Sequence, residues 1–228
     1  MDNNEDKIQD KDEGGLINVT KGKYPVHCLT VIGQVEGHYE ASNQLKTTKY
    51  EHVIPQLVSV EENPDIEGLL LILNTVGGDV EAGLAIAELI KGMTKPTVSL
   101  VLGGGHSIGI PLAVSTDYSF IAPTATMTIH PVRHSGTVLA TEQTMKYLAS
   151  IQQRVTDFVT ENSKISSKRF TQLMTQTDDL IMDLGTCLDG KTAVKEGIIN
   201  AVGGLGAALE YLYQRVEEKK NITDDKSM

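Results

Sequence analysis

Between Gly68 and Met93 the chain reads GLLLILNTVGGDVEAGLAIAELIKGM, and this stretch constrains the fold more than any other. An apolar run too continuous for a half-exposed strand ends in a glycine pair. The spacing then changes to that of a helix, with Val80, Leu84, Ala87 and Ile90 on one side. A strand buried on both faces belongs in a parallel sheet between helix layers. The same succession returns in PTVSLVLGG (96–104) and SIGIPLAVST, which places Ser107 near the start of a short helix and Pro111 within about its first turn.

Further extended runs are expected at VHCLTVIG (26–33), YSFIA and ATMTIH. A long amphipathic helix is expected over ATEQTMKYLASIQQRVTDFVTENS, with Met145, Leu148, Ile151 or Gln152, Val155 and Val159 on one face. SSKRFTQLM reads as a serine-capped helix, KTAVKEGIINAVGG as a helix ended by Gly197 and a short strand, and LGAALEYLYQRVEEK as a closing helix. Repeated β–α units of this kind predict an α/β protein with a mostly parallel sheet.

Aromatic residues make up only 4% of the 228 and Trp is absent, so the core must rest on Leu, Ile, Val and Ala, with Met filling gaps. The length suits one domain, expected over 25–216. Polar tails at 1–24 and 217–228 lack the apolar periodicity needed to offset ordering entropy. A net charge of −10 argues against nucleic acid as a partner, because phosphate recognition needs clustered Lys and Arg. The opening MDNNEDKIQDKDEGG has neither a basic nor an apolar leader segment, and no run reaches the roughly 18 apolar residues needed to cross a bilayer, so membrane insertion is not expected and a cytoplasmic protein is. Cys28 and Cys187 are too few for a disulfide framework and offer no zinc spacing; reduced thiols, no metal and no cofactor are expected.

Three short stretches carry candidate chemistry. NTVGGDVEAG puts backbone N–H groups of a glycine pair at a strand-to-helix corner suited to an anion, although a pair alone is better explained by a turn needing positive φ. LGGGHSIGIPLA (102–113) puts Ser107 in a second such corner, where its hydroxyl would reach the ligand-binding edge of an open α/β sheet; the simpler reading is a helix cap. His106, beside it, is expected to point elsewhere. MTIHPV ends in His130, and a serine hydroxyl needs just such a base near pH 7 to become a nucleophile. A carboxylate should orient the imidazole. Asp178, Asp179, Asp183 and Asp189 are candidates, Asp189 equally a cap for the helix at Gly190 or Lys191; spacing leaves the choice open.

Jointly and in this order, from GQVEGH (33–38) to AVKEGIINAV (193–202), these motifs resemble the proteolytic subunit family of the Clp protease. NTVGGDVEAGLAI resembles its glycine-pair loop and following helix, GGGHSIGIPLA its nucleophile segment and MTIHPV its histidine segment. The resemblance implies a ClpP/crotonase-type fold of stacked β–α units with a long projecting helix, assembled into homo-oligomeric rings. It implies a serine endopeptidase acting on peptides or unfolded proteins through an acyl-enzyme. Ser107 would be the nucleophile, His130 the base and then acid, and the N–H groups of Gly78 and Ile108 the oxyanion donors, with Asp183 chosen as the acid. A separate ATPase unfoldase is a possible partner, since no GxxxxGK[ST] occurs here. The alternatives are a weakly catalytic scaffold of the same fold, a crotonase-type acyl-CoA enzyme, and a serine–lysine peptidase using Lys46 or Lys49.

Overall fold

The computed structural model describes residues 22–42, 44–134, 139, 141–177 and 184–227, with side chains to residue 222. Six parallel strands form its main sheet, in the order β2-β1-β3-β4-β5-β8. They are β1 (Val26–Glu36), β2 (Thr47–Lys49), β3 (Gly68–Gly78), β4 (Thr97–Gly105), β5 (Tyr118–Ile121) and β8 (Ala201–Val202). The continuous apolar run of β3 has the predicted cause: Leu69, Leu70, Leu71 and Leu73 are all buried, because helices cover both faces.

On one face Leu69, Leu71 and Leu73 pack with the inner sides of α1 (Tyr50–Glu62), α2 (Val80–Lys91) and α3 (Gly109–Val114). On the other, Leu70, Val98, Leu100 and Phe120 meet Ala208 and Leu212 of α7 (Leu205–Ser227). Each such leucine contributes roughly 1.5–3 kcal/mol through burial. α7 runs on through Glu217, beyond the start of the expected polar tail, and Lys219 Nζ there donates to the Thr94 carbonyl at 2.8 Å.

Neither α1 nor β2 was expected. Val53, Leu57 and Val60 of α1 are buried at helical spacing, but Pro55 stands among them and removes the N–H that Glu51 would receive. The polar stretch before it hides β2, a three-residue edge strand beside β1.

A second small sheet carries the ATMTIH segment. β6 (Thr126–Ile129) touches β4 at one paired position, Gly104 with Thr126, and runs antiparallel to β7 (Thr186–Asp189), also unexpected. The long helix α4 (Glu142–Glu161) buries Ile151, Val155, Phe158 and Val159, whereas Met145 and Tyr147 are about 60% exposed. Its first half therefore projects from the body of the single chain. Ile151 takes the apolar place and Gln152 accepts from the Val132 N–H at 2.6 Å, tying the segment after β6 to α4. α5 (Ser167–Met174) is capped by Ser166, as its sequence predicts, and α6 (Gly190–Lys195) follows β7.

Candidate active site

Both glycine-rich corners open at the C-terminal ends of the central strands, β3 and β4. At the first, Thr75 Oγ1 donates to the Gly33 carbonyl at 2.6 Å and accepts from the Gly77 N–H at 3.0 Å, turning the chain toward α2. Asp79 then caps α2 through the Ala82 N–H at 2.8 Å. Gly77 has φ +94° and Gly78 φ +151°. A Cβ on Gly77 would stand 2.7 Å from Ser107 Cβ, and one on Gly78 would overlap the Val35 carbonyl. These glycines serve close approach as much as backbone freedom.

At the second corner Ser107 itself takes the left-handed conformation, φ +55°, alone among the described non-glycine residues. Such a residue costs on the order of 1–2 kcal/mol. Four backbone hydrogen bonds hold it there: His106 N to Thr75 O at 3.2 Å, Ser107 N to Thr128 O at 2.9 Å, Gly109 N to His106 O at 2.9 Å and Ile110 N to Ser107 O at 3.0 Å. Strain so over-determined at a strand-to-helix turn is a signature of a functional residue.

His130 follows β6. Its Nδ1 lies 2.7 Å from the Pro131 carbonyl oxygen, which can only accept, so Nδ1 carries the proton and, in the neutral ring, Nε2 keeps its lone pair. That is the tautomer a general base requires. Ser107 and His130 line one cavity of about 220 Å³, with Gly78 and Ile108 on its wall and Ile110, Ile129, Val155, Phe170 and Met174 forming an apolar lining. Among the described residues no hydrogen bond joins the Ser107 hydroxyl to the ring, and such bonds are often loose before substrate binds.

The carboxylates divide sharply. Asp178, Asp179 and Asp183 lie outside the described residues. Asp189 is the cap of α6, its Oδ1 accepting from the Thr192 N–H at 2.7 Å; that backbone bond leads the interactions holding its carboxyl below the usual range. It pairs with Thr126, at the end of the β6–β7 ladder away from His130. Near His130 the ladder reaches Gly185 (φ +127°), where a Cβ would overlap the Ile129 carbonyl and stand 3.0 Å from His130 Cβ.

Neither Lys46 nor Lys49 lines the cavity, and Lys49 is 4.0 Å from the Glu36 carboxylate. His106 also stays out of it, turning its ring to Thr128, as its place beside the serine predicts. The lining from α4 and α5 escaped notice in the sequence. Val155 reads there as part of an apolar helix face and Phe170 and Met174 fall in a helix marked only by its cap, and the approach of two helices to the Ser107 corner makes them walls. Among the described residues no group of three or more His, Cys, Asp or Glu side chains could hold a metal, and no described helix is long and apolar enough to cross a membrane.

Ser107, at the second glycine corner of a parallel sheet, and His130 thus open into one cavity. The sequence profile of the Clp protease family matches residues 29–205, and the chain belongs to that family. It is similar to the translocation-enhancing protein TepA of Halalkalibacterium halodurans, 58% identical over 195 residues that cover 86% of this chain and 76% of that one. It is also similar to the ATP-dependent Clp protease proteolytic subunit of Streptococcus uberis, at 27% identity over 66% of this chain and 76% of the relative. The corresponding subunit of Lactococcus lactis subsp. lactis is 29% identical over 50% of this chain and 60% of its own length.

Proposed function

We propose that the protein is a serine endopeptidase whose nucleophile is Ser107. The observation that carries this reading is a serine held at φ +55° in the cavity that His130 also lines, with Nδ1 turned to the Pro131 carbonyl. Ser107 Oγ attacks the scissile carbonyl carbon while its proton passes to His130 Nε2. The N–H groups of Gly78 and Ile108 receive the charge that develops on the carbonyl oxygen. His130 gives the proton to the leaving amine, and the C–N bond breaks to leave an acyl ester on Ser107. Water then attacks that ester with His130 again as base.

Asp183 is the proposed partner of the imidazolium. In the chain it precedes Leu184 and Gly185, and Gly185 packs against His130. Engaging it requires Nδ1 to leave the Pro131 carbonyl. The apolar lining by Ile110, Phe170 and Met174 favours an apolar substrate side chain next to the cleaved bond. Family membership supports peptide or unfolded-protein substrates and homo-oligomeric assembly. The exposed Met145 and Tyr147 of α4 and Val76 at the cavity rim are apolar surface that a neighbouring copy in a ring would cover. Delivery of substrate by a separate ATPase, in the cytoplasm, completes the reading.

A serine-reactive phosphonate tests it. Mass spectrometry should find the adduct on Ser107, and the Ser107→Ala protein should stay unlabelled; an adduct that persists in that variant refutes the assignment. The scaffold reading has its own observation, the unmade bond between Ser107 and His130. It prevails if the assembled protein neither reacts with the phosphonate nor cleaves short peptides.

A further inference from the structure

The strand that leads into His130 is only lightly fastened to the strand that leads into Ser107. β6 and β4 share one paired position, Gly104 with Thr126. Beyond it, among the described residues, the hydrogen bonds that join the two segments fall on Thr128: its carbonyl accepts from the Ser107 N–H at 2.9 Å, and its hydroxyl lies 2.9 Å from His106 Nδ1. We propose that His106 is a positioning residue which, by holding the Thr128 hydroxyl, sets where the His130 strand lies against the Ser107 turn.

Alternation along β6 makes Thr128 a suitable handle. Met127 and Ile129 are at most 1% exposed, so Thr128 faces the other way, and His130 follows two residues on, just past the end of β6. A displacement of the Thr128 side chain is therefore shared by His130. The handle itself is rigid. The His106 ring lies so close to Gly104 that a Cβ there would stand 2.5 Å from Nε2, and the His106 backbone is bonded at both its N–H and its carbonyl. Burial, with a smaller contribution from His130, pushes the pKa of this ring down, so the neutral ring makes the bond near pH 7. Consecutive residues thus grip one threonine, His106 by its side chain and Ser107 by its backbone. Misplacement of a catalytic group by about 1 Å can lower a rate on the order of 100-fold, which gives one hydrogen bond this leverage.

The inference uses the peptidase reading for its rate measurement, and a second measurement stands apart from activity. Thr128→Val keeps the shape, the strand preference and the carbonyl but removes the hydroxyl. Phosphonylation of Ser107 should slow about 10-fold or more, with kcat for a short peptide falling while KM stays near the wild-type value. His106→Ala should match it, and the double variant should lose little more than either single one. Thr128→Ser and His106→Asn, whose Oδ1 sits close to where Nδ1 was, should restore most of the rate. A merely structural bond would shift the unfolding midpoint and leave kcat alone.

Ring resonances of isotopically labelled histidine, recorded in the Ser107→Ala background, supply the second measurement. Thr128→Val should move the His106 and His130 signals together and leave those of His27, His38, His52 and His134 in place. A His130 signal that stays put while that of His106 moves overturns the proposal, as does wild-type phosphonylation in Thr128→Val. Absence of any wild-type labelling would instead sink the peptidase reading, and the resonances would still decide the positioning role.

Discussion

Two corners of the same sheet solve one geometric problem with different residues. At the end of β3 the chain turns toward a helix through Gly77 and Gly78, which adopt positive φ without steric cost. After β4 the positive φ falls on Ser107, although glycines stand close by at 103, 104, 105 and 109. A glycine at 107 would be the relaxed choice for the backbone. The strained one brings a hydroxyl to the cavity, and the comparison teaches that the first corner is shaped for approach while the second is shaped to present a group.

The largest effect should come from the first corner. Gly78→Ala forces a methyl group into the Val35 carbonyl at φ +151°, and unfolding by denaturant should show a loss of about 3–5 kcal/mol, with Ser107 labelling abolished. Deep in the sheet, Leu71→Ala should cost about 2–5 kcal/mol by leaving a cavity, but it should spare the labelling rate of the protein that remains folded. That contrast separates a corner that makes the site from a core that merely supports it.

At the second corner the sign should reverse. Ser107→Gly should be more stable than Ser107→Ala by about 1 kcal/mol, because only alanine retains the left-handed penalty, and both should be unreactive. Equal stability of the two variants would show that the turn is not strained in solution.

The histidines extend the contrast. His27, at the start of β1, is buried with neither ring nitrogen hydrogen-bonded, and burial lowers its pKa; His106 is lowered in the same direction. A folded-state pKa below the unfolded value of about 6.5 means that the unfolded chain binds the proton more readily. Stability should be held above that pH and fall as pH drops through it, and His27→Leu should flatten the slope measured by chemical denaturation between pH 7 and 5. The smallest effect belongs to the Arg154–Glu81 pair, which joins α4 to the first turn of α2 through contacts of 2.6 and 3.0 Å. Both side chains are about half exposed, so Arg154→Ala should cost no more than about 1 kcal/mol.

How much was legible beforehand depended on how local the cause was. The β3–corner–α2 and β4–corner–α3 units announce themselves because burial on both faces, glycine pairs and helical spacing are all written within some twenty residues. α1 was missed because Pro55 interrupts an otherwise readable stripe, and β7 because four residues after a glycine, the last of them itself a cap, carry too little pattern. Asp189 could be suspected of capping from the residues after it, and it does cap α6. The exposure of Met145 on a helix whose stripe continues into the core had no local sign.

By itself, then, the amino-acid order determined the α/β class, the two corners and the pairing of a serine with a histidine as candidates, since each depends on residues close in the chain. Tertiary structure alone decided that Thr128 meets both the His106 ring and the Ser107 backbone, and that α7 covers the second face of the sheet. Those outcomes rest on contacts between segments far apart in sequence, whose distances exist only once the chain has packed.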